Sequence, residues 1–174
     1  MKLDLVTAAK KFLTACGIDW PVKAAFQNEK TAAAVFDPKR KEFRINMARI
    51  FQLADKQKMK PEDSLILALC HEIGYYADPQ FEELTRTIDG QYRQLQEFQA
   101  VEAELMATIL QREIQARNLG QAFVPERLRL SYRQAEERNL QMLKQRSEVE
   151  ILECKQKCQR LRMSESDIEY YARE

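Results

Sequence analysis

Glycine is scarce in this chain of 174 residues, at 4, proline stands at 5, and histidine occurs once. So few turn-formers exclude a fold made of many short strands and tight connections, and they favour long helices. Charge of one sign is missing too, since 28 Lys and Arg stand against 27 Asp and Glu for a net +1. No global field therefore draws the chain toward nucleic acid, an acidic substrate or an anionic membrane. Long hydrophobic runs are absent: the longest strongly apolar stretch, Leu65 to Cys70, falls far short of the roughly 20 residues that cross a bilayer. Asp4, Lys10 and Lys11 interrupt the segment that a signal peptide would need to keep apolar. The expectation is a cytoplasmic protein that neither enters a membrane nor binds nucleic acid directly. Four cysteines, Cys16, Cys70, Cys154 and Cys158, have no framework spacing and read as reduced thiols.

Hydrophobic residues at 45% and charged residues at 32% are enough for a core with a soluble exterior. From Leu3 to Cys16, Leu3, Val6, Ala9, Phe12, Leu13 and Cys16 recur every three or four residues, which predicts a helix that Gly17 ends. TAAAVFD and KEFRIN flank the polar turn DPKRK and predict a hairpin, with Phe43 and Ile45 alternating against Glu42 and Arg44. Asn46 suits the N-cap of a helix to about Lys56, and Pro61 with Glu62 and Asp63 starts another. A charged helical stretch broken near Asp89-Gly90 precedes a pattern from about Gln91 to Arg117, with Asn118 and Gly120 as terminators. After Pro125, Leu140, Leu143, Ser147, Ile151, Cys154, Cys158 and Leu161 form a narrow stripe on a charged helix that must pack against its own domain or a second copy. Ser164 and Asp167 give a weak capping signal for a short last helix ending in Tyr170 and Tyr171.

The helix begun by Pro61 carries the chemistry. LILALCHEIGYYAD contains the only histidine, His71, followed at once by Glu72 inside an apolar run. A helix apolar on nearly all faces is surrounded by protein, so each polar group on it needs a partner or costs roughly 1 to 3 kcal/mol. In H-E-x-x-H two imidazoles one turn apart hold zinc and the glutamate is the general base. Tyr75 stands four residues after His71, where the second imidazole belongs. A phenol has an ordinary pKa of about 10, so using it as an anionic ligand near neutrality costs on the order of 4 kcal/mol. Cys70 points about 100° away from His71 around the helix and is a poor substitute ligand or nucleophile.

Two apolar residues, His-Glu, an apolar residue, a glycine, an aromatic pair and Asp78 together resemble the active-site helix of zincin metallopeptidases of the ImmA/IrrE type, whose sites open with H-E-[aliphatic]-G-H. The resemblance covers about Ala32 to Leu110. It implies a third metal ligand from a later helix, and Glu102 in EAELMA fits that role, with Glu97 in EFQA as the competitor. It implies Glu72 as catalytic base and His71, Tyr75 and Glu102 as the ligand set, occupied little or not at all because Tyr75 replaces an imidazole.

The resulting expectation is an α+β, predominantly α protein: a zincin-like domain over residues 1–120 with a small N-terminal hairpin, then a charged helical extension over 121–174. Its expected role is that of a degenerate metallopeptidase, catalytically inactive, binding a protein partner, which the resemblance implies is of the transcriptional-repressor type, through the edge strand near Phe43 to Asn46 and the cleft above His71. No cofactor is expected in that case. The alternatives are an active zinc peptidase with an atypical ligand set, and a helical module that oligomerises through its C-terminal helix.

Overall fold

A computed structural model describes residues 4–24, 32–97 and 99–171, the last eleven of them, 161–171, as backbone helix only. Leu3 and Thr31, assigned above to a helix and a strand, and the side chains of Leu161, Ser164, Asp167, Tyr170 and Tyr171 lie outside what is described. The described residues are mostly helical, with six α-helices and one three-stranded sheet. None of their helices is long and apolar enough to cross a membrane.

The chain forms two compact units, each assembled from two stretches, so residues on both sides of 120 contribute to each: Met1–Pro79 with Gln115–Glu136, and Gln80–Ile114 with Glu137–Glu174. In the first, α1 (Leu5–Ala15) is capped by Asp4, whose side chain accepts the Thr7 N–H, and Gly17 follows it at a φ of +78° that favours glycine. Three short strands come next, β1 (Val22–Ala24), β2 (Ala34–Asp37) and β3 (Glu42–Ile45). β2 and β3 are the expected antiparallel hairpin, and β1 adds to β3 in parallel, giving the order β1-β3-β2. The segment near Phe43 to Asn46 is thus the central strand and not an edge, because a second, parallel strand was not foreseen on its other side. The edge beside the hairpin is β2. Alternation holds for Phe43 and Ile45, both fully buried, but Glu42 is buried as well, its carboxylate ion-paired to Lys23 on β1. A buried carboxylate is tolerable when a cation meets it, and periodicity alone does not reveal the cation.

Asn46 caps α2 (Met47–Gln57) by accepting the Arg49 N–H at 3.1 Å. α3 (Pro61–Ala77) starts with Pro61 in its first turn beside Glu62 and Asp63, as the sequence indicates. The first unit is completed by the last turns of α5 (Glu102–Gly120), two 3-10 turns at Gln121–Phe123 and Glu126–Leu128, and the first turns of α6 (Arg129–Tyr171). Its main core joins Leu5, Ala9 and Leu13 of α1 to Phe43 and Ile45 of β3, Ile50 of α2, and Leu65, Leu69 and Ile73 of α3. A smaller cluster on the far side of α3 joins Leu67 and Cys70 to Val124, Leu128 and Tyr132.

In the second unit, α4 (Phe81–Gln96) runs straight through Asp89-Gly90 instead of breaking there. A glycine inside a helix costs only about 1 kcal/mol relative to alanine. Burial of Leu84, Ile88 and Leu95 on one face outweighs that. The break falls instead between Gln96 and Glu102. α6 is likewise a single helix to Tyr171, without the short separate helix expected after Ser164. Ile88, Leu95, Leu105, Ile109 and Ile151 make this unit's core, with Leu143 and Cys154 packed against it. The stripe of Leu143, Ser147, Ile151 and Cys154 is therefore occupied within its own unit.

Candidate functional site

α3 is apolar on nearly every side because it is enclosed: it packs against α1, α2, β2 and the 3-10 turn at Gln121–Phe123. On its remaining flank the last turns of α5 come so close that backbones touch. A Cβ built on Gly74 would lie 1.8 Å from the Ala116 carbonyl oxygen, and one on Gly120 would lie 2.2 Å from the Cys70 carbonyl oxygen. Gly74 against Ala116 and Cys70 against Gly120 run in opposite chain directions, so the two helices are antiparallel here. Tyr132 of α6 fills the space beyond, its hydroxyl donating to the Arg117 carbonyl at 3.2 Å. These close approaches fix the rotation of α3 and hence the directions in which His71 and Glu72 point.

Glu72 points to the sheet. Its Oε2 accepts the backbone N–H of Phe36 at 2.7 Å. The Asn46 N–H bonds to the Ala33 carbonyl at 2.9 Å, and the hairpin register then makes Ala33, Val35 and Asp37 the β2 residues bonded to β3. The Phe36 N–H consequently faces away from β3, on the open side of an edge strand. Glu72 covers the donor that an added strand would seek there. The Phe36 ring is held as well, stacked on Trp20 at 5.4 Å between centroids and met edge-on by Tyr76 at 5.7 Å.

His71 points elsewhere. Its Nδ1 lies 2.9 Å from Oε2 of Glu136, a residue of α6 whose side chain is almost wholly buried. A carboxylate oxygen accepts, so the proton of this bond sits on Nδ1. Tyr75 packs edge-on against the imidazole, centroids 5.0 Å apart with an interplanar angle of 85°. The ring standing where a second imidazole is expected is thus a packing partner of the first.

The remaining expected residues have other surroundings. Glu102 opens α5 and forms an ion pair and hydrogen bond with Lys155 of α6, which hold its carboxyl below the usual range. Glu97 ends α4 as an exposed C-cap. Cys70 is fully buried, and that burial pushes its thiol well above the ordinary value, which suits neither a nucleophile nor a metal ligand. The acid on the imidazole, Glu136, was not weighed from the sequence. A signal was present, because Glu136 lies four residues after Tyr132 and eight after Leu128, on the face by which α6 enters the core.

A catalytic zinc ion takes three protein ligands and keeps a fourth position open for water. This chain offers one imidazole where that arrangement has two, packs a phenol beside it, and engages the prospective base with a backbone N–H. The donors do not fit a zincin centre. Within the first unit, His71 and Glu136 bring one ring nitrogen and one carboxylate together, fewer donors than such a centre requires. No protein-family model, curated protein or solved structure matches the chain.

Proposed function

We propose that this chain is a metallopeptidase-like protein without peptidase activity, which works by binding a protein partner of the transcriptional-repressor type. The partner class follows from the resemblance of the His71 helix to ImmA/IrrE-type peptidases. The observation that carries the loss of catalysis is the 2.7 Å bond from the Phe36 N–H to Glu72. A general base must reach a water held over the scissile carbonyl. A carboxylate spent on securing an edge strand to α3 serves structure instead.

The two roles of Glu72 predict different things. As a structural tie, Glu72→Ala leaves a partly buried N–H without its acceptor and lowers unfolding free energy by about 1 to 3 kcal/mol, while Glu72→Gln, which keeps an acceptor oxygen, loses less. Urea unfolding of the three proteins reads this directly. Peptide hydrolysis by native protein purified without chelator is expected at background, with zinc well below one equivalent by elemental analysis. Zinc-dependent hydrolysis that Glu72→Gln abolishes would overturn the proposal and establish the atypical zinc enzyme in its place.

A further inference from the structure

The outward face of α6 carries a second stripe. Met142, Gln145, Val149, Leu152, Gln156 and Gln159 follow one another at steps of three and four, the spacing of a coiled-coil seam, and all six are exposed. Met142 is 54% exposed, Val149 53% and Leu152 56%, three large apolar side chains on one face of the helix. The stripe lies diametrically opposite the face formed by Leu143, Ser147, Ile151 and Cys154, so none of it serves the core of its own unit. Isolated exposed apolar residues need no explanation, whereas a seam of them at heptad spacing does.

The charges beside the seam identify the occupant. Arg146 and Glu153 flank it on one side, Glu148 and Lys155 on the other. In a parallel pair of these helices, a residue on one flank faces the residue five positions later on the opposite flank of the partner. Glu148 would then meet Glu153 of the other copy, and Lys155 would meet Arg160. Both juxtapositions repel. In an antiparallel pair centred between Val149 and Leu152, like flanks meet, so Arg146 faces Glu153 and Glu148 faces Lys155, each twice by symmetry. Val149 then packs on Leu152 of the other copy. Arg146 has an exposed local partner in Glu150, and Lys155 is shared with Glu102. An exposed pair such as Arg146–Glu150 contributes little and leaves the guanidinium able to reorient.

We infer that the outer face of α6 is a self-association surface, on which a second copy of this chain docks antiparallel through Val149 and Leu152. The seam is about 27 Å long at 1.5 Å per residue, which is short for a coiled coil, so the dimer forms in the micromolar range.

Sedimentation velocity on the full chain over a concentration series tests this. The expected result is a monomer–dimer equilibrium, shifted to monomer by Val149→Asp and Leu152→Asp with helical circular dichroism unchanged, because both side chains are exposed in the monomer. Glu153→Arg weakens the dimer about tenfold, and adding Arg146→Glu to it restores association. A native chain that stays monomeric up to several hundred micromolar overturns the inference. So does a dimer that survives both aspartate substitutions. A dimer tightened by Glu153→Arg is parallel and overturns the antiparallel arrangement.

Discussion

Gly74→Ala is expected to lower the unfolding free energy by about 3 kcal/mol or more, a large share of the roughly 5 to 15 kcal/mol that a domain of this kind possesses. The added methyl would sit 1.8 Å from a backbone oxygen of Ala116. A flexible side chain would swing aside, but a carbonyl in the body of a helix moves only with the helix. Relief requires α3 and the end of α5 to separate, which opens the packing around Cys70 and Tyr132 together. Gly90→Ala provides a control of opposite sign. Nothing lies within 4 Å of a Cβ built there, and alanine favours the helical state, so α4 gains roughly 0.5 to 1 kcal/mol. Urea midpoints of the two variants bracket the native value. A Gly74→Ala protein as stable as the native one would mean that the backbones do not approach as described.

Tyr75→His carries the second large effect. The substitution puts an imidazole one turn from His71 and removes the cost, on the order of 4 kcal/mol, of ionising a phenol near neutrality. His71 is already prepared for such a partner, because its Nδ1 is held by Glu136, the arrangement in which a carboxylate orients a ligating imidazole. Zinc affinity should rise at least about a hundredfold, equivalent to roughly 3 kcal/mol, by competition titration against a chromophoric chelator. Unchanged affinity would remove the basis for likening this helix to a zincin active site. Peptide hydrolysis is not expected to return with the metal, since Glu72 still accepts the Phe36 N–H.

Local signals in the sequence located the first helix, the hairpin, the Asn46 cap and the start of α3, because each is set by a few neighbouring residues whose side chains act on their own backbone. The features that were not legible depend on partners distant in the chain. Glycine at position 90 reads as a breaker until the burial of Leu84, Ile88 and Leu95 is known. KEFRIN reads as an edge strand until Val22–Ala24 is seen to pair beside it. At the site, the need of His71 and Glu72 for partners followed from their apolar setting, but the partners themselves, Glu136 and the Phe36 N–H, lie 65 and 36 residues away. No spacing rule spans such separations. In the sequence Gly74 is one letter of a motif, whereas its physical role is to let a carbonyl of α5 reach the surface of α3.

The enclosure of α3 also governs how the protein breathes. A helix gripped by α1, α2, β2, a 3-10 turn and the backbone of α5 has no small opening available to it. Its amides around Leu69 to Gly74 should exchange with deuterium only when the whole unit unfolds, while the outer turns of α6 exchange through local fraying. His71 and Glu72 therefore sit in a segment expected to exchange slowly. Under the proposed function, a partner would meet both side chains already held in place, without any rearrangement of the helix that bears them.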